Sequence, residues 1–275
     1  DDVPINSFIF GADVFSVDNI ELDTLDRIEL VRGPSSILYG SDAFHSAVSY
    51  KTWQPDSGTE QSQLSAGQDD YYHGSLQTSH LIGNDWRLGL SLSASQEGNQ
   101  SSQFEYQSPI DASIHTAERE LSWDSQTAVI HLLQDTGEHR GLSASLYYSG
   151  NNFDDFQGGG NASFPSYDQD RGGHDGRLGM ARLGYKQPLA YDIGFEAKLY
   201  YWQMEHSQEF LIPSPIGTLI ETTEYDENRR GVSAILRQEL EYIATRWSLE
   251  TSYEEAGVDS NTQKREGLNS RALVP

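Results

Sequence analysis

Trp86-Arg87-Leu88-Gly89-Leu90-Ser91-Leu92-Ser93-Ala94-Ser95 decides how this chain folds. Apolar side chains take every second position, Trp86, Leu88, Leu90, Leu92 and Ala94, with arginine, glycine and serine between them. A helix would scatter such residues around its axis, whereas a strand places them all on one face. The alternation returns in Leu142, Ala144, Leu146 and Tyr148, in Ile193, Phe195, Ala197, Leu199 and Tyr201, in Val232, Ala234, Leu236 and Leu240, and in Trp247, Leu249, Thr251 and Tyr253. Several of these segments alternate for ten or more residues, where strands of globular proteins average about 5–6 and a membrane-spanning strand needs about 9–11.

Outward from those strands, the connections sort by parity. Short ones fall near 81–84, 135–139, 187–191 and 243–245, and long ones near 98–117, 150–174 and 206–229. Transmembrane barrels combine short turns at one end with longer loops at the other, and aromatic girdles at both. Tyr71-Tyr72, Trp86, Tyr147-Tyr148, Tyr200-Tyr201-Trp202, Tyr242 and Trp247 gather near strand ends as such girdles would. The pattern predicts nine strands, at roughly 61–67, 71–80, 85–97, 118–134, 139–149, 176–187, 191–205, 229–242 and 245–256. Nine is odd, whereas bacterial single-chain barrels have even strand numbers. With Asp at position 1 and no leader-like opening, both ends read as cuts through a longer protein.

Composition narrows the alternatives. The chain has 275 residues, 42 acidic against 18 basic, a net charge of −24, and no cysteine. That balance disfavours nucleic acid, because phosphate is repelled, and the missing cysteines exclude a disulfide scaffold. The most apolar-looking uncharged stretch, 210–220, carries two prolines and is far short of the about 20 residues a spanning helix needs.

The first 52 residues follow another regime. Asp26-Arg27-Ile28-Glu29-Leu30-Val31-Arg32 alternates as a strand that Gly33-Pro34 must end. A short helix or turn precedes it over 19–25, a capped helical turn follows over 35–38, and 47–52 reads as a second strand. The run from Leu25 to Gly40, with Arg27, Glu29, Arg32, Gly33, Pro34, Tyr39 and Gly40 at its characteristic positions, resembles the signature of the plug domain of TonB-dependent outer-membrane receptors. Asp1-Asp2-Val3-Pro4-Ile5-Asn6 is similar to the strand that precedes it in that family, although the family's Gly-rich segment is here Ser41-Asp42-Ala43-Phe44-His45-Ser46. The resemblance implies an all-β fold, with a small α+β plug remnant at 1–52 and part of a transmembrane antiparallel barrel at 53–275. The whole barrel would have 22 strands, the size of plugged outer-membrane transporters.

It further implies energy-coupled uptake of a scarce nutrient, most simply a ferric siderophore or similar metal chelate, in the outer membrane of a Gram-negative bacterium. The partners implied are an inner-membrane TonB-type complex and outer-membrane lipid, and no catalysis is expected. Phe153, Phe156, Phe164 and Tyr167 are the expected ligand platforms, in a long loop. The same loop holds Asp154, Asp155, Asp168, Asp170 and Asp175 among glycines, a set suited to a hard cation such as a structural calcium ion. No other cofactor is expected. Arg32 is a candidate lock on lumen carboxylates such as Glu196, Glu239 or Glu250. The eight histidines are dispersed, and no nucleophile or phosphate motif is present. The alternative is a soluble, secreted β-rich carbohydrate-binding module or hydrolase, which accounts for the acidity but not for the loop parity.

Overall fold

The computed structural model describes residues 3, 5, 20–32, 46–55, 60–107, 114–134, 141–154, 174–190, 192–214, 217–240, 243–266 and 270–273. Two sheets result. A 3-10 turn, Leu22–Thr24, leads into strand β1 (Leu25–Arg32), which pairs antiparallel with β2 (Ser46–Thr52). The described part of residues 1–52 contains this ribbon and turn and no α-helix, so the helical part of the expected α+β remnant finds no counterpart among the described residues.

Everything after it is one antiparallel sheet in chain order: β3 (Gln61–Ala66), β4 (Tyr72–Ile82), β5 (Trp86–Gln107), β6 (Ile114–Gln134), β7 (Gly141–Asp154), β8 (His174–Ala190), β9 (Ile193–Ser214), β10 (Gly217–Leu240), β11 (Ile243–Glu266) and β12 (Ser270–Leu273). The expected nine strands are β3 to β11. The tenth, β12, was not anticipated, because four residues pairing with the end of β11 leave no periodic signal. Two of the expected long loops are mostly strand. β5 and β6 continue pairing as far as Gln107 and Ile114, and β9 and β10 as far as Ser214 and Gly217. Polar composition suggested loop there, but cross-strand hydrogen bonds carry a polar strand well clear of any core. At the other end the turns are tight; Gly83, at φ 69, takes a left-handed conformation that glycine adopts without strain.

The two faces of the sheet differ as the alternation requires. Ile130, Leu146, Leu183, Leu199 and Val232 are outward and about half exposed. They form cross-strand pairs, Ile130 with Leu146, Leu183 with Leu199, and Leu199 with Val232. No second sheet covers this face among the described residues, which removes the two-layer sandwich. On β9 the outward positions are apolar from Ile193 to Tyr201 and turn polar at Gln203 and Glu205, so the oily band matches one membrane thickness. Tyr201 sits at its edge and donates to Gln203 Oε1 at 2.9 Å. Tyr148, Tyr201 and Tyr253 mark that edge and Trp247 the opposite one, near the short turns. Tyr147, Tyr200 and Trp202 had been expected in the girdles, but they point inward and are buried. Consecutive residues of a strand cannot share a face.

Glycine admits close approach at two inward positions. A Cβ on Gly89 would lie 2.8 Å from Pro55, and one on Gly231 would fall within the Tyr200 ring. Leu183→Arg places a charge in the middle of the oily band and is expected to destabilise the full-length protein by about 2–4 kcal/mol. Arg177, beyond the band on the same strand, is already exposed at no such cost. Equilibrium unfolding in lipid bilayers measures the difference.

Candidate functional site

The inward face is built in tiers, and each tier arises from the register of neighbouring strands. Nearest the short turns lies a charged tier. Buried Glu196 receives Lys198 at 3.1 Å and Arg237 at 3.1 Å, one on each carboxylate oxygen. Tyr200 donates to Glu250 Oε1 at 2.6 Å. Farther from the turns, level with Trp202, Arg229 meets Glu254 at 2.7 Å with its guanidinium 5.8 Å from the Trp202 ring. Buried charge is tolerated here because each group has an opposite partner.

Next comes an apolar strip across β6 to β9. Val129, Tyr147, Leu178, Trp202 and Met204 are buried as one cluster, and Val3 and Ile5 pack against it. Val3 and Ile5 therefore lie on the inner face of the sheet. Burial of this kind contributes about 1.5–3 kcal/mol per large side chain.

Beyond the strip, above the membrane band, five rings stand in a row with one on each of five successive strands. Trp123 of β6 stacks on Phe153 of β7 at 6.1 Å and 16°. Phe153 meets His174 of β8 edge-on at 5.6 Å, His174 meets His206 of β9 at 4.0 Å, and His206 lies 5.8 Å from Tyr225 of β10. Trp123 Nε1 donates to Glu97 Oε2 at 2.7 Å, which fixes the first ring. Offset and edge-on contacts of this sort add about 0.5–1.5 kcal/mol each beyond burial.

Residues 21–24 and 52–53 are also held by polar contacts. Asp23 reaches His73 Nε2 at 2.5 Å, and its backbone carbonyl accepts from Gln77 Nε2 at 2.6 Å. His73 Nδ1 lies 2.8 Å from Ser95 Oγ, Ser125 Oγ donates to Glu21, and Thr52 Oγ1 lies 3.1 Å from His131 Nε2. Trp53 N donates to the Thr24 carbonyl at 2.8 Å.

Of the residues singled out in the sequence, Phe153 belongs to the ring row. Phe156, Phe164, Tyr167, Asp155, Asp168 and Asp170 lie outside the described residues, as do Gly33, Pro34, Tyr39 and Gly40. Asp154 closes β7, and exposed Asp175 follows His174 in β8. Among the described residues no group of three or more His, Asp or Glu could hold a metal ion. Arg27 is exposed and pairs with Asp26 at 2.6 Å and Glu29 at 2.7 Å, and Arg32 is exposed at the end of β1. Trp123, His174, His206 and Tyr225 escaped sequence reasoning. Their signal, a ring at an inward position near the same end of each strand, needs the register to be seen.

His174 and His206 are buried above the membrane band, and desolvation lowers both pKa values from 6.5, to about 4 and about 3. For His206 the neighbouring His174 adds to the effect. Both imidazoles are neutral at pH 7. Above pH 6.5 neither folded nor unfolded chain binds these protons. Below it the unfolded chain takes protons that the folded row refuses, so stability falls as pH drops toward 4. Thermal unfolding of the full-length protein in detergent should show this loss, and His174→Phe with His206→Phe should remove the part due to the pair.

Comparison with known proteins agrees with this arrangement. Residues 1–47 match the family model of the TonB-dependent receptor plug domain. No curated protein sequence matches the chain. In fold it is similar to the open form of the ferric-catecholate import receptor Fiu from E. coli K12, with TM-score 0.62 and 10% identity over 88% of this chain and 41% of that one. The ferric yersiniabactin uptake receptor FyuA from Yersinia pestis gives TM-score 0.62 and 16% identity over 93% of this chain and 40% of that one. The ferripyoverdine receptor of the Pseudomonas aeruginosa outer membrane gives 0.58 and 14%, over 90% and 34%. The chain thus spans about two fifths or less of each of these structures. Its opening residues thus match the plug-domain model of TonB-dependent receptors, and the strands that follow share the fold of these solved receptor structures.

Proposed function

We propose that this chain serves in a TonB-dependent outer-membrane receptor that takes up a metal chelate, with residues 1–52 acting as plug and 53–275 as wall. The observation that carries the reading is the seating of Val3, Ile5 and the Glu21–Asp23 contacts on the inner face of a sheet whose outer face is oily over one membrane thickness. A stopper held inside a lipid-facing wall suits gated passage. It offers no reason for bond-making chemistry, and the role proposed is binding and transport rather than catalysis.

The ligand class follows from two supports. The three solved structures of similar fold are receptors for ferric catecholate, ferric yersiniabactin and ferripyoverdine. In this chain a row of rings faces inward beyond the membrane band, where an aromatic chelate entering from outside would meet it. A ferric siderophore is the ligand proposed, and an inner-membrane TonB-type complex the partner that displaces the plug.

The test uses the full-length receptor in a strain lacking its own siderophore receptors. It should fractionate with outer membranes, migrate heat-modifiably on gels, and confer uptake of a ferric chelate that stops when the proton-motive force is collapsed. Recovery in the soluble fraction would reject the reading. Trp123→Ala should weaken chelate binding by up to about tenfold, because one lost stacking partner removes about 0.5–1.5 kcal/mol. Equilibrium binding of the ferric chelate to purified receptor measures it.

A further inference from the structure

Charge around the ring row is one-sided. The row itself carries none at neutral pH, because burial keeps the imidazoles of His174 and His206 uncharged. Carboxylates stand at both of its ends. At one end Glu97 of β5 accepts the indole proton of Trp123 at 2.7 Å. At the other, Glu221 and Glu227 share a face of β10 with Tyr225, one on either side of it along the strand. Glu221 accepts from Ser260 Oγ at 2.9 Å, and Glu227 is fully buried.

Among the described residues, the arginines of β8 and β10 lie elsewhere. Arg177 is on the outward face, where it meets Glu205. Arg230 is also outward, 4.6 Å from the Tyr253 ring. Arg182 and Arg229 lie toward the short turns, and Arg229 is joined to Glu254. The sequence carries the same bias through everything beyond the membrane band. Residues 97–124, 150–177 and 203–229 hold 17 acidic residues against four arginines, with no lysine.

Such surroundings discriminate between ligands by charge. An anion seated on the row would shed water beside carboxylates, and no described cation at that level replaces the lost hydration. Aromatic faces do not compensate, because the face of a ring is its negative side and attracts cations. A neutral ring gives up little hydration and gains the stacking contact. On the receptor reading above, we infer that the part of the chelate seated on this row carries no negative charge and is a neutral or cationic aromatic group. Glu97 is then a specificity residue. Its charge disfavours anionic ligands, and its hydrogen bond sets the Trp123 ring.

The experiment compares three ferric chelates of similar size on purified full-length receptor: a trianionic tris-catecholate, a neutral tris-hydroxypyridinonate, and a tris-hydroxypyridinonate bearing one ammonium group. Equilibrium binding at low salt should favour the neutral and cationic chelates over the trianionic one by about tenfold or more, and added salt should narrow that gap by screening. Equal or tighter binding of the tris-catecholate overturns the inference. Glu97→Gln keeps an acceptor for Trp123 and removes the charge, so it should narrow the gap by about threefold to tenfold. An unchanged gap also overturns the inference, because the discrimination then comes from another part of the lumen. Heat-modifiable migration reports whether the variant folds; if it does not, Glu221→Gln takes its place with the same two outcomes. Binding of none of the three chelates rejects the chelate reading, and this inference with it, a result distinct from a preference for the anion.

Discussion

Backbone amides cannot be left unpaired in hydrocarbon, and that constraint shapes the whole wall. Each strand from β4 to β10 satisfies its N–H and C=O groups against neighbours on both sides, in pairings that run unbroken for most of each strand. Once the backbone is settled this way, side chains have only two directions to go. The alternation of Leu199 outward and Tyr200 inward follows from that, as do the oily band and the tiers of the inner face.

The tiers are products of register rather than of local sequence. Glu196, Lys198, Tyr200, Trp202, Met204 and His206 follow one another along β9, and each meets a chemically suited partner on β8, β10, β11 or β9 itself. Shifting β9 by one residue would turn all of them toward lipid. The contacts of Glu21 and Asp23 depend on the same register, because Ser125 of β6 meets Glu21 while His73 of β4, itself bonded to Ser95 of β5, meets Asp23. Wall and plug thus specify each other.

Most of the fold could be read from the sequence, because period-2 patterning is a local property. β3 to β11 were all anticipated, and so were β1 and β2, from the alternation around Arg27 to Arg32 and the Gly33-Pro34 stop. The extensions of β5, β6, β9 and β10 were not. Gln100, Ser101 and Ser102, or Glu224 and Asp226, look like loop until a partner strand is known to lie beside them. The ring row was legible only at Phe153. Trp123 and Tyr225 are separated by about a hundred residues, and nothing local says that four pairings bring them into line. The expected Arg32–carboxylate lock rested on charge alone, which carries no register. The wall has its own cations for Glu196, and Arg32 ends an exposed strand.

The apolar strip has a consequence for leakage. Water and ions can hydrate the charged tier on one side of it, while the strip itself offers them no polar group on Val129, Leu178 or Met204. While Val3 and Ile5 rest there, a hydrated ion following that stretch of wall would have to strip off its solvent shell to cross. From β6 to β9 the strip is thus the stretch of inner face that water wets least, and the two aliphatic side chains resting on it keep that surface covered.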